Sequence, residues 1–298
     1  MRRLALFSVV LFLPLFLYGA DKKFEKKFSV SADGLLNVRA DLGDVSIKGT
    51  SSNEVNILVT MRGSLGDLDD YEITANQTGN TIEVRGKGKN EDWFHFSMDD
   101  VDIKYVLEVP EKFNLDISTS GGDVTVNNIS GKIQTETSGG DIVLQQLSGE
   151  MLVETSGGDI RATDMKGNFR GSTSGGDIEV TSVTGNINVE TSGGDIRIKG
   201  VGGSVNAQTS GGDITIGLTG ENKGIKAETS GGDIDVLAAK GIQANLDAST
   251  SGGSVVCSLP ITLAGEIDES RVQGTLNGGG ELIYVQTSGG DIRIKPAE

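Results

Sequence analysis

From residue 119 onward, apolar positions come in pairs two residues apart, each pair set among polar neighbours. Ile142/Leu144, Ile178/Val180, Ile196/Ile198 and Ile214/Ile216 follow a Gly-Gly-Asp triplet, and half a repeat later stand Met151/Val153, Ile187/Val189 and Val205/Ala207. Spacing of two is the period of a strand with one buried face, so every repeat predicts two short strands. Between them runs a further apolar column, Ile129, Leu147, Met165, Val183 and Val201, followed two residues on by Gly131, Gly149, Gly167, Gly185 and Gly203.

The phrase Thr-Ser-Gly-Gly, usually completed by Asp-Ile, sets the period. It begins at Thr119, Thr137, Thr155, Thr173, Thr191 and Thr209 with a strict spacing of 18, then at Thr229, Thr250 and Thr287 after gaps of 20, 21 and 37. A fixed period near 20 means stacked coils, and two strands per coil that pair with their equivalents in the next coil make parallel sheets without crossover helices. The expected fold is all-β, a parallel β-solenoid (β-helix) of 18-residue coils with two short strands each. A sandwich does not require identical letters at a fixed interval, and a coiled coil would need heptads, of which there are none.

The phrase itself reads as a corner. The glycine pair is expected to supply positive φ, the aspartate to accept hydrogen bonds from turn N–H groups, and the Thr and Ser hydroxyls to bond along the stack. The gap of 37 reads as two coils, one of which has lost the phrase. Cys257, two residues after Val255, falls where other coils carry Ile198 or Ile216 and is expected to be a small buried apolar residue.

Residues 21–118 are strand-rich but less regular, with "YEITANQTGNTIEVRG" predicting a hairpin about Gly79-Asn80. They are read as irregular β coils and an N-terminal cap, because an open solenoid end exposes unpaired strand edges. Residues 119–298 are the regular solenoid, and "IRIKPAE" is expected to close its far end through Lys295 and Pro296. Residues 1–20 differ from all of this: Arg2 and Arg3, a 14-residue apolar run from Leu4 to Leu17, then Gly19 and Ala20. That is the form of a secretory signal peptide, too short for an ordinary membrane span, with an uncleaved anchor as the alternative route to a membrane.

Composition narrows the function classes. The net charge is −16, and losing Arg2 and Arg3 with the leader makes it −18, so nucleic acid is not an expected partner. A single cysteine allows no intramolecular disulfide.

Three groups of residues are candidate chemistry. The first is the aspartate column Asp123, Asp141, Asp159, Asp177, Asp195, Asp213, Asp233 and Asp291, interrupted in sequence by Ser254. Its primary reading is a set of turn residues; Ca²⁺ is the one metal or cofactor it could hold, since that ion takes oxygen ligands from carboxylates and carbonyls. The second is "NEDWFHFSMDD", whose Trp93, Phe94, His95 and Phe96 form a candidate recognition patch or a cap over the core. The third is paired-carboxylate catalysis on a glycan, for which so many aligned acids give no particular pair. No catalytic residue is assigned, and the chain is not expected to be an enzyme.

The recurring "GGDI" turn at 18, the lead-in "YVLEVPEKFNLDISTSGGDV" at 105–124 and the ending "LNGGGELIYVQTSGGDIRIK" at 276–295 carry a resemblance. The chain resembles the bacterial "putative adhesin" family of repeated β-strands, a domain of unknown function related to the head-GIN auto-transporter adhesins. The resemblance implies export, a β-helix-like fold and no known activity or site residues. The expected function is thus an exported, non-enzymatic β-solenoid of the bacterial envelope or surface, in the periplasm, on the outer membrane or outside the cell. It would present columns such as Glu136, Glu154, Glu190 and Glu228 to an envelope or surface protein or a glycan. The alternatives are a polysaccharide-active β-helix enzyme and a periplasmic structural or stress accessory without a ligand.

Overall fold

Each regular coil pairs in register with the coil 18 residues before it. Ile133 lies beside Met151, Thr135 beside Val153 and Thr137 beside Thr155, while Ile160 lies beside Ile178 and Ala162 beside Val180. The apolar side chains of both strands point inward and are almost fully buried. Because a slip of one residue would turn every one of them to solvent, the alternation alone fixes this register.

The computed structural model describes residues 20–63, 68–89, 101–264 and 268–297, and among these residues 27 strands are connected by pairing. The pairings run in two stacks. The first passes in space through Tyr71–Thr78, Thr81–Gly88, Gly34–Ala40, Phe113–Thr119, Ser130–Thr137, Ser148–Thr155, Phe169–Ser172, Ile187–Thr191, Val205–Thr209 and Ile225–Thr229. It then continues through Leu282–Thr287, Ala244–Thr250, Arg271–Leu276 and Ile261–Leu263. The second stack supplies the other strand of each coil, from Ala20–Ser29 at one end to Val255–Cys257 at the other. The interior between them is a continuous apolar core. The expected solenoid of two-strand coils is therefore the observed one.

Spatial order departs from sequence order at both ends. Gly34–Ala40 and Asp44–Thr50 form a coil inside the stack, with Thr81–Gly88 and Asp102–Pro110 beyond it. At the far end, Leu282–Thr287 lies between Ile225–Thr229 and Ala244–Thr250. Ile292–Pro296 likewise lies between Ile234–Ala238 and Val255–Cys257. Two expectations are corrected by this. The gap of 37 does not hold a coil that lost its phrase; between the coil strands Val255–Cys257 and Leu282–Thr287 it holds two more, Ile261–Leu263 and Arg271–Leu276, that pair antiparallel with each other, the latter also against Ala244–Thr250. Nor do Lys295 and Pro296 close the stack, since Lys295 pairs with Leu237 and Pro296 with Ala238 in its interior.

Antiparallel pairing is confined to the ends. Tyr71–Thr78 folds back on Thr81–Gly88 about Gly79 and Asn80, as the sequence predicts. Glu54–Gly63 runs antiparallel to both Ala20–Ser29 and Asp102–Pro110. The outermost of these strands carries Lys22, Lys23, Lys26 and Lys27, charges that discourage another chain from adding to the open edge. Phe24 and Phe28 of the same strand pack on the core. Cys257 pairs with Ile294 as its spacing predicts but is only half-buried, because its strand is the edge of its stack. Its thiol is pushed up by that burial.

Candidate functional site

The Gly-Gly-Asp corner is a three-part clasp repeated up the stack. Asp159 donates its N–H to Asp141 Oδ1 at 2.8 Å, and its carbonyl accepts from Ile142 N at 2.8 Å. Thr155 Oγ1 donates to the Gly140 carbonyl of the preceding coil at 3.0 Å and accepts from Gly158 N, in its own coil, at 3.3 Å. The same bonds recur at Thr173, Thr191, Thr209, Thr229 and Thr287, all of them buried. Every aspartate expected at the corner is brought into this column, and so is Asp44, whose Oδ1 receives Asp123 N at 3.1 Å.

The inserted last coil makes the column continuous. Asp291 sits directly on Asp233, with its N–H 2.7 Å from Asp233 Oδ1. Ser254, which breaks the column in sequence, stands at its spatial end and donates through N and Oγ to Asp291 Oδ1 at 2.9 and 3.1 Å.

Mutual repulsion among the carboxylates is offset by these N–H bonds and by arginines two residues after every second or third aspartate. Arg161 bridges Asp141 and Asp159 at 3.2 and 2.7 Å, and Arg197 bridges Asp177 and Asp195 at 3.3 and 2.6 Å. Arg293 bridges Asp233 and Asp291 at 2.8 and 2.9 Å. The Asp233 carboxyl is held below the usual range by the Asp291 N–H and then by Arg293. Asp291 is held below it by the Ser254 N–H and hydroxyl. Among the described residues no three or more His, Cys, Asp or Glu side chains converge as a metal site, and the column's Oδ1 atoms are already committed to backbone donors.

The glycine expectation is corrected in its mechanism. None of the phrase glycines has left-handed φ; instead, a Cβ on Gly158 would lie 2.0 Å from the Gly140 carbonyl oxygen, whereas one on Gly157 would meet nothing closer than 3.8 Å. The second glycine of the pair is required by the close approach of stacked backbones. Left-handed φ belongs to the opposite corner, at Asn128 (58°), Gln146 (56°), Asp164 (58°), Ser182 (59°) and Gly200 (69°).

A second feature lies on the outer surface of the first sheet, where sequence reading placed only the glutamates. Glu136, Glu154, Glu190 and Glu228 do share one column there, interleaved with Ser172 and Gln208. Beside it runs a trough whose floor is the backbone at Ile133, Met151, Phe169, Ile187 and Val205. One wall is the residue before each of these, and the other, from Met151 on, the residue after. The main cavity is about 530 Å³, and a second of about 500 Å³ shares Ser204 and Val205 with it and extends to Leu282 and Tyr284.

Amides dominate the trough. In the first wall Asn186 N donates to Asn168 Oδ1 at 3.3 Å, and Ser204 N and Oγ donate to Asn186 Oδ1 at 3.1 and 2.9 Å. The two Asn Nδ2 groups have no hydrogen-bond partner among the described residues. In the second wall Asn188, with its oxygen turned to Arg170, accepts from Nη2 and Nε at 2.9 and 3.0 Å, and its nitrogen faces the Asn206 amide at 2.8 Å. The sequence did carry a signal for these residues. Positions flanking Phe169, Ile187 and Val205 hold Asn168, Arg170, Asn186, Asn188 and Asn206, an amide cluster at the period of the repeat.

Trp93, Phe94, His95 and Phe96, the other candidate patch, lie outside the described residues, as do residues 1–19.

Comparison with known proteins bears on fold and family. No curated protein matches the chain. Among solved structures it is similar to a "putative lipid binding protein" from Parabacteroides distasonis ATCC 8503, at 14% identity over 91% of this chain and 96% of that one, with a TM-score of 0.41. It is similar also to a "putative adhesin" from Bacteroides fragilis NCTC 9343, at 14% identity over 92% and 97%, with a TM-score of 0.36. A "putative cell adhesion protein" from Clostridium sporogenes ATCC 15579 matches at 13% identity over 93% and 100%, with a TM-score of 0.25. Likenesses this distant carry no functional weight. The family match is of another kind: it runs over residues 36–295, from the first inward leucine to the last coil, and by it the chain belongs to the Toastrack DUF4097 family.

Proposed function

We propose that this protein is an exported, non-enzymatic scaffold that binds a component of the bacterial envelope or surface along one side of its solenoid. The observation that carries the reading is the continuous trough on the first sheet, where side chains of successive coils stand in register over a rigid backbone floor. A site on strands held from both sides is pre-organised, so little ordering entropy opposes binding. Export is read from the basic start and apolar run of residues 1–20.

A catalytic reading finds less support. Glycoside hydrolysis needs two carboxyl groups about 5–9 Å apart with different proton affinities. The aspartates of the corner are bound to backbone N–H groups and arginines, and the main cavity of the trough has Glu150 as its sole carboxylate.

Retention on isolated envelopes tests the proposal. Purified protein beginning at residue 21 is expected to sediment with envelopes and to be released by excess unlabelled protein. Failure to sediment would favour the ligand-free accessory, and release of reducing sugar during incubation would favour the enzyme.

A further inference from the structure

Three properties of the trough narrow its ligand. It crosses seven strands, from Ser130–Thr137 to Leu282–Thr287, which at ~4.8 Å per strand is about 29 Å. That is too long for a small molecule and suits a linear polymer lying along the axis. Its walls repeat at the coil spacing, with Asn168 and Asn186 one coil apart on one side and Asn188 and Asn206 one coil apart on the other. A polymer whose units advance by nearly one strand spacing keeps step with the coils, as an extended β-1,4-linked pyranose chain does; its alternate units are turned by about half a revolution, so that successive sugars face the Asn pair of one wall and then that of the other.

Chemistry points the same way. The Asn168 and Asn186 Nδ2 groups, unpartnered among the described residues, Arg170 and Lys132 are donors, and the half-exposed Tyr284 beside exposed Leu282 offers a flat apolar platform at one end. Hydroxyl and acetamido oxygens accept from such donors, and the apolar face of a sugar ring stacks on an aromatic side chain. A polyanion is disfavoured by the chain's net charge of −16 and by the glutamate column running alongside.

We infer that the trough between the columns of Asn168 and Asn188 binds a neutral, linear, β-1,4-linked glycan, about one sugar per coil. This rests on the proposal of a binding scaffold and names its ligand class.

The test is titration of the chain from residue 21 with chitohexaose and cellohexaose, alongside the corresponding disaccharides and a hexamer of galacturonate. At least one neutral hexamer is expected to bind, with its disaccharide weaker by at least about tenfold, or 1.4 kcal/mol. Arg170→Ala and Asn186→Asp are each expected to weaken that hexamer by about tenfold or more. The Asn186→Asp change keeps an oxygen for Ser204 N while removing the Nδ2 donor, so an unchanged melting temperature separates lost binding from lost folding. Glu179→Gln on the opposite sheet should leave affinity unchanged. No binding of either neutral hexamer, equal affinity in both variants, or tighter binding of the galacturonate hexamer would overturn the assignment. Envelope sedimentation abolished by prior protease treatment of the envelopes would overturn it too, in favour of a protein partner. The two readings fail separately: wild type and both variants sedimenting alike sinks the glycan trough and leaves the scaffold standing, whereas hexamer binding without sedimentation does the reverse.

Discussion

Asp291 donates its backbone N–H to the carboxylate of Asp233 at 2.7 Å although 58 residues separate them. That bond is the signature of an inserted coil: the last turn of the solenoid occupies a slot between two turns made earlier in the chain. Hydrogen exchange should show it. Amides of Ile292, Arg293 and Ile294 are expected to be protected as strongly as those of Ile234, Asp235 and Val236, because these residues are paired on two sides, while those of Ile261–Leu263 exchange faster. Exchange of 292–294 at the rate of a fraying terminus would contradict the insertion.

The two glycines of a phrase should respond unequally to alanine. Gly176→Ala puts a Cβ 2.0 Å from the Gly158 carbonyl oxygen, so the coils must part or the corner distort. A loss of about 1–3 kcal/mol or more is expected. Gly175→Ala, whose Cβ would meet nothing nearer than 3.6 Å, should stay within about 0.5 kcal/mol of wild type. Urea unfolding of the two variants measures the difference, and equal effects would contradict the close-approach account.

Buried threonines are the inner half of the clasp. Thr173→Val keeps the shape but leaves the Gly158 carbonyl and the Gly176 N–H without their partner. Each orphaned group costs about 1–3 kcal/mol, so the unfolding midpoint should fall clearly. Ser174→Ala, one residue on, should barely move it.

Acid should weaken the end of the column. The Asp233 and Asp291 carboxyls are depressed in the folded protein, so their stabilisation is fully present above the unfolded carboxylate value of about 3.9 and is lost as pH falls through the lower folded values. Arg293→Ala removes a guanidinium that touches both and should shift the acid unfolding midpoint upward. Above pH 5 these two carboxyls should add no pH dependence to the stability of either the variant or the wild type.

Divalent ions should have no effect on this column. Its Oδ1 atoms accept from the next coil's N–H and several Oδ2 atoms are held by arginine. Thermal midpoints in millimolar Ca²⁺ and in EDTA are expected to agree. A rise with Ca²⁺ beyond that with Mg²⁺ would show that ion binding competes with the arginine clamps.

The periodic part of the fold was legible because coil identity is written at a fixed interval. Ile142, Ile160, Ile178 and Ile196 could be placed on one inward column from spacing alone. Coil order was not legible at the ends, since the Thr287 phrase fits any slot between two like coils. Only its neighbours, with Ile283 meeting both Ile225 and Leu246, choose the slot. The glycines misled for a related reason. In most turns glycine signals left-handed φ, but here Gly140 and Gly158 answer to a stacked carbonyl, a constraint between coils that no local rule contains. The trough escaped notice because its residues vary while the phrase stays constant. Asn168, Glu150 and Lys132 share a wall only once the register is known.

The central claim is that binding is lateral, on the outer surface of the first sheet. Hydrogen exchange of the chain from residue 21, with and without saturating neutral hexasaccharide or solubilised envelope glycan, tests it most directly. Added protection is expected in Phe169–Ser172, Ile187–Thr191 and Val205–Thr209, with the opposite strands Ile178–Thr184 and Ile196–Val201 unchanged. Protection that appears instead at the aspartate corner, or nowhere, would contradict the account.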